Sequence, residues 1–100
     1  KRVLLKLSGE AFAGEESHGL DPAILKRIAG EVAAAHRAGV DIGIVAGGGN
    51  FFRGGSDARK CNLEEYTGHF MGMLGTVING LALQGALETQ GVQTRLMTAI

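Results

Sequence analysis

Two short stretches of this sequence carry residues suited to holding an anion. The first is Lys6-Leu7-Ser8-Gly9; the second is Gly47-Gly48-Gly49-Asn50, followed at once by Phe51-Phe52-Arg53. Consecutive glycines let backbone amides point into one concavity with no side chain in the way, which is the geometry of a phosphate nest, especially beside a helix N-terminus. Arg53 adds a candidate charge-assisted contact, and Lys6 a mobile positive charge. Phosphoryl transfer needs such groups, because its transition state spreads negative charge over the equatorial oxygens. Two plainer readings stand beside this one. A tight turn after a buried strand also uses glycine, and a lysine in an apolar run also snorkels to solvent. Neither standard nucleotide fingerprint fits: no glycine-lysine-serine/threonine tripeptide occurs, and a dinucleotide pattern starting at Gly47 fails at Phe52.

The elements that would position these loops are legible in the pattern. Val3-Leu4-Leu5-Lys6-Leu7 reads as a short buried strand. Residues 10–20 read as a polar connection. Asp21-Pro22 is a helix start, with Asp21 capping free amides and Pro22 at the first helical position. Ile24, Leu25, Ile28, Val32 and Ala35 then share one face, and Gly39 is the expected left-handed terminator. Residues 40–45 form a second strand, so the whole is a strand, a crossover helix and a strand, a unit that is almost always parallel. Ligands of parallel α/β sheets sit beyond the carboxyl ends of the strands, and both glycine-bearing stretches lie at such ends.

A long helical pattern runs from Leu63 to Gln90, with Tyr66, Phe70, Met73, Val77 and Leu81 as its main stripe and Leu74, Ile78 and Leu87 widening it. Met71 and Met73 are expected in the core. Five glycines inside this helix (Gly68, Gly72, Gly75, Gly80 and Gly85) predict close approach of another helix or a ligand, because each costs up to about 1 kcal/mol in an exposed helix. Residues 92–97 read as a third strand. The expected fold class is α/β, a three-layer αβα sandwich with a mostly parallel sheet, in one domain.

Composition narrows the function classes. Lysine plus arginine and aspartate plus glutamate number ten each, so net charge favours neither nucleic acid nor an anionic membrane as partner. No uninterrupted apolar run approaches the roughly 20 residues of a membrane span. Cys61 is the single cysteine, which excludes an intrachain disulfide and fits a reducing compartment. His18, His36 and His69 lack the close pairings of a metal site. The first residue is Lys1 rather than methionine and the last apolar run stops without a cap, so more chain is expected around these 100 residues.

These residues in this order resemble the amino-acid-kinase fold family, and within it the bacterial branch that phosphorylates UMP. The matching stretches are Arg2-Val3-Leu4-Leu5-Lys6-Leu7-Ser8-Gly9-Glu10-Ala11, Gly47-Gly48-Gly49-Asn50-Phe51-Phe52-Arg53-Gly54, and Met71-Gly72-Met73-Leu74-Gly75-Thr76-Val77-Ile78-Asn79-Gly80-Leu81-Ala82-Leu83. The resemblance covers nearly all residues, as the N-terminal portion of a single amino-acid-kinase domain. It implies transfer of the ATP γ-phosphate to UMP, with Mg2+ carried by the nucleotide. It implies a phosphoryl-stabilising role for Lys6 and an ATP-phosphate loop of Lys6, Leu7, Ser8 and Gly9. Gly49 and Arg53 would be ATP contacts, and Gly48 a UMP contact. It places a GTP-linked allosteric region at Gly14, Glu15, Glu16, Ser17, His18 and Gly19, and it implies a cytoplasmic homohexamer packed through the long helix. His69 stands where this branch carries an aspartate that contacts UMP, after a segment (residues 56–67) one residue longer. A histidine cannot accept hydrogen bonds as a carboxylate does. Two other readings are a relative that phosphorylates a carboxylate or carbamate, and a non-catalytic nucleotide- or oxyanion-binding module on the same fold.

Overall fold

The computed structural model describes residues 1–16 and 18–98. Its order is β1 (Arg2–Leu7), two 3-10 turns (Gly9–Phe12 and Gly14–Glu16), α1 (Pro22–Arg37), β2 (Asp41–Ala46), α2 (Gly54–Lys60) and α3 (Glu65–Glu88). The strands pair in parallel, from Arg2 opposite Asp41 to Leu7 opposite Ala46. The expected strand, crossover helix and strand are therefore all present.

Local chemistry explains the limits of α1. The Asp21 carboxylate accepts from the amides of Ala23 at 2.9 Å and Ile24 at 3.3 Å, and Pro22 follows at the first turn. At the other end Gly39 takes φ +99°, a value that favours glycine. Arg37 places its guanidinium 2.6 Å from the Gln90 carbonyl, tying the end of α1 to the chain just after α3. A cation there also suits the negative end of the helix dipole.

The core gathers Phe12, Ala29, Val32, Ala33, Leu83 and Leu87, with Ile42, Ile44 and Ala46 of β2 packed against it. Both α1 and α3 thus cover the same face of the sheet. The opposite face carries Leu4, Lys6, Gly43 and Val45, all exposed among the described residues. Residues 1–98 supply one helical layer against the sheet.

The structure corrects several expectations. Residues 10–20 are not simply a polar connection: Phe12 is fully buried, and burying such a ring is worth about 1.5–3 kcal/mol. Residues 92–97 form no strand. Their backbone borders a groove beside β2 and Leu83, and the Thr94 carbonyl accepts from Gln84 Nε2 at 3.1 Å in place of a ladder bond. Residues 54–60, where no element was expected, form α2. The Asp57 carboxylate accepts from the Arg53 amide at 2.7 Å, which fixes this short helix's first turn despite the glycine pair at its start.

The largest correction concerns α3. Tyr66, Phe70, Met71, Met73, Leu74, Ile78 and Leu81 are exposed, while Gly68, Gly75, Asn79, Leu83 and Leu87 are buried. The inner face is narrow because other backbone presses against it. A Cβ on Gly68 would meet the Gly54 carbonyl oxygen and lie 2.5 Å from Ala58 Cβ, and one on Gly75 would lie 3.1 Å from the Gly48 carbonyl oxygen. Close approach was expected from these glycines and is present. Gly85 is the exception, with nothing within 4 Å. By length and mean hydropathy (1.4) α3 is long and apolar enough to cross a membrane, which uninterrupted runs alone did not reveal; its inner face packs against α1, α2 and the glycine loop.

Candidate phosphate site at the strand ends

Parallel pairing sends the chain out of β1 and β2 at the same edge, and the ladder continues one residue past β2. The Gly47 amide donates to the Leu7 carbonyl at 3.0 Å. Beyond it the two loop tips touch. A Cβ on Gly9 would meet the Gly49 amide nitrogen and lie 2.8 Å from Asn50 Oδ1. On its other side the glycine loop meets α3: a Cβ on Gly48 would contact the Gly72 carbonyl oxygen and lie 2.6 Å from the Thr76 amide nitrogen. Only glycine fits at either position, because the obstacles are mainly backbone atoms. Among the described residues the amides of Gly48 and Gly49 donate to no protein acceptor. Paired unsatisfied amides at a strand end are the elements of an anion nest.

Two asparagines hold this loop in place. Asn50 and Asn79 are 1% and 0% exposed and bond to each other reciprocally, Asn50 Nδ2 to Asn79 Oδ1 at 3.0 Å and Asn79 Nδ2 to Asn50 Oδ1 at 2.8 Å. The second hydrogen of each amide reaches backbone: Asn79 Nδ2 donates to the Gly47 carbonyl and Asn50 Nδ2 to the Gly19 carbonyl, both at 2.8 Å.

Charge is arranged around the nest. Arg53 Nη2 lies 3.1 Å from Glu10 Oε2, so the residue after Gly9 pairs with the arginine after the glycine loop. The same carboxylate stands against Gly49, where a Cβ would lie 2.9 Å from Glu10 Oε1. Both side chains are about half exposed, and such a pair contributes roughly 0–1 kcal/mol. Lys6 is exposed on the open face of the sheet and forms no ion pair among the described residues.

The remaining candidate residues fall into two groups. Leu7 and Ser8 lead directly into the touching tips, and the Ser8 carbonyl accepts from the Ala11 amide at 3.1 Å. His69 stands on α3 one turn before Gly72, with Nδ1 2.5 Å from where a Cβ on Gly54 would lie and Nε2 3.3 Å from Glu65 Oε1. Of the region beginning at Gly14, Glu15, Glu16 and His18 are exposed, Gly14 packs on the Asp21 carboxylate, and Gly19 alone bonds into the site, through Asn50; Ser17 lies outside the described residues. Among the described residues no group of three or more His, Cys, Asp or Glu could hold a metal ion.

Sequence reasoning gave no role to Glu10, Asn50 or Asn79. Asn79 did carry a sign: a carboxamide between Ile78 and Gly80 in an apolar helix needs a partner if buried. Glu10 carried none, since nothing in the pattern says that its carboxylate crosses to Arg53.

The sequence profile of the Amino acid kinase family matches residues 1–100. This chain belongs to the amino acid kinase family. It is 53% identical, over all 100 of its residues, to a uridylate kinase of Marinobacter nauticus, of which it covers 41%. It superposes on the crystal structure of UMP kinase from Ureaplasma parvum with a TM-score of 0.83 and 33% identity, covering 94% of this chain and 40% of that one. With UMP kinase from Bacillus anthracis the TM-score is 0.81 and the identity 39%, covering 90% and 36%. The chain thus spans about two fifths of the length of these relatives.

Proposed function

We propose that these residues are the N-terminal portion of a single UMP kinase domain, which forms UDP for pyrimidine nucleotide biosynthesis. A phosphate oxygen of UMP attacks the γ-phosphorus of ATP, the bond to the β–γ bridging oxygen breaks, and ADP leaves. The observation that carries this reading is the contact between Gly9 and Gly49 at one sheet edge, with the Gly48 and Gly49 amides free of acceptors among the described residues. The three named relatives are all UMP or uridylate kinases, which favours this reading over a carboxylate or carbamate kinase and over a non-catalytic module.

In this reading the chain's own residues bind and orient. Lys6, Leu7, Ser8 and Gly9 line the ATP phosphates, and Lys6 neutralises charge that develops on the transferring group. Gly49 and Arg53 hold the ATP side, where the triphosphate competes with Glu10 for the guanidinium. Gly48 and His69 face UMP, with His69 donating a hydrogen bond where a carboxylate would accept one. Mg2+ carried by the nucleotide would supply charge screening at its phosphates. GTP acting through residues 14–19, a homohexamer packed through α3 and a cytoplasmic location complete the proposal; they follow from the family likeness. A coupled ADP-release assay on the full-length protein with a panel of nucleoside monophosphates tests it. Turnover with UMP is expected; turnover of glutamate derivatives but not UMP, or nucleotide binding without turnover, contradicts it.

A further inference from the structure

We propose that Asn50 and Asn79 are positioning residues that make the glycine nest and the turn at residues 18–20 one cooperative unit, so that filling the nest with a nucleotide phosphate further stabilises the turn. The inference rests on the proposed nucleotide reading for its ligand, and on the amide geometry for its mechanism.

All four amide hydrogens of the pair have acceptors, two within the pair and two on backbone carbonyls that bracket the nest, Gly47 before it and Gly19 across from it. The Gly19 amide also donates to the Asn50 carbonyl at 2.8 Å, so this turn is held to Asn50 in both directions. A reciprocal carboxamide pair has a single orientation that satisfies both members, and an apolar pair would fill the space without gripping either carbonyl. Asn79 grips from α3, whose backbone at Gly72 and Thr76 already bounds Gly48. A shift of the nest against α3 therefore strains the Asn79 bond to Gly47, the bond between the asparagines and the Asn50 bond to Gly19 in series. Asn79 makes no hydrogen bond with Gly19, so the hydrogen-bonded route from residue 79 to Gly19 runs through Asn50.

Amide-resolved hydrogen exchange on the full-length protein tests this. In Asn79→Ala without ligand, exchange at Gly19 is expected to be about tenfold faster than in the ligand-free wild type, in step with Phe51, whose amide donates to the Gly48 carbonyl, while Ala29 and Ala33 in the core of α1 keep their rates. Asn79→Leu, which keeps the volume and removes the bonds, should do the same. Both variants should raise KM for ATP or UMP about tenfold with a much smaller change in kcat; a uniform loss of protection across α1 as well would assign the pair a merely structural role. Addition of ATP to the wild type gives a reading that needs no variant. Protection rising at Gly19 together with Gly48 and Gly49 supports the coupling, and protection of Gly48 and Gly49 alone overturns it. If ATP protects none of these amides, the nucleotide reading fails, and the ligand-free comparison decides the coupling by itself.

Discussion

The two faces of α3 obey opposite rules. From Gly68 to Asn79 the inner face is made of glycines and one asparagine, buried against α2 and the loop that follows β2; Leu83 and Leu87 continue it into the core. The outer face carries Tyr66, Phe70, Met73 and Leu81, residues that ordinarily make a core, and it is open. The inner face is specified by how closely backbone can approach and by which amide hydrogens find acceptors. The outer face is specified only by apolar area, which is non-directional and says little about its partner. Hydrophobic periodicity finds the second kind of face and misses the first.

That contrast yields graded predictions. The largest effect belongs to Gly48→Val, whose side chain would have to enter backbone of α3 at Gly72, Gly75 and Thr76. A loss of about 3 kcal/mol or more in chemical denaturation is expected, together with loss of nucleotide binding. A near-normal denaturation midpoint would mean that the loop can leave α3 freely. Lys6→Ala comes next and separates chemistry from packing. This exposed side chain should be dispensable for folding, so the melting temperature should hold while kcat falls roughly 10²–10³-fold. An unchanged kcat would make Lys6 a solvated strand residue.

The outer face gives a smaller effect. Leu81→Ser on the full-length protein should cost about 1 kcal/mol or less of subunit stability, because the side chain is 55% exposed here, yet lower the assembled mass seen by light scattering if α3 packs subunits. An unaltered mass combined with a loss of about 2–3 kcal/mol would show that later parts of the same chain cover the stripe. Glu10→Gln should be the mildest. The half-exposed pair with Arg53 is worth about 0–1 kcal/mol to folding, while freeing Arg53 should lower KM for ATP slightly. A rise in KM would instead make Glu10 a support that aims the guanidinium.

How much of this was legible follows the same division. The β1, α1 and β2 succession could be read because each boundary has its own local cause: Asp21 and Pro22 at one end of α1, Gly39 at the other, and alternation of Ile42 and Ile44 with Gly43 and Val45 in β2. The meeting of the two glycine tips was also legible, because parallel pairing alone places both strand ends at one edge. The orientation of α3 was not, since the apolar stripe from Tyr66 to Leu81 is real but largely exposed among the described residues, and of the expected face only Leu87 is buried. Nor was α2, where Gly54-Gly55 reads as a break until Asp57 is seen to bond the Arg53 amide. The third strand failed for a different reason: residues 92–97 have the alternation, but a strand exists only where a neighbour offers its ladder, which sequence pattern cannot supply. The asparagine pair joins residues 29 positions apart, beyond the reach of any local rule.

The most direct measurement is a crystal structure of the full-length protein with a non-hydrolysable ATP analogue and UMP. Phosphate oxygens are expected within about 2.7–3.2 Å of amide nitrogens on both tips, Gly9 on one and Gly48 or Gly49 on the other, with Lys6 Nζ turned toward the γ-phosphate. Phosphates bound away from this edge, with the glycine amides facing only solvent, would contradict the account.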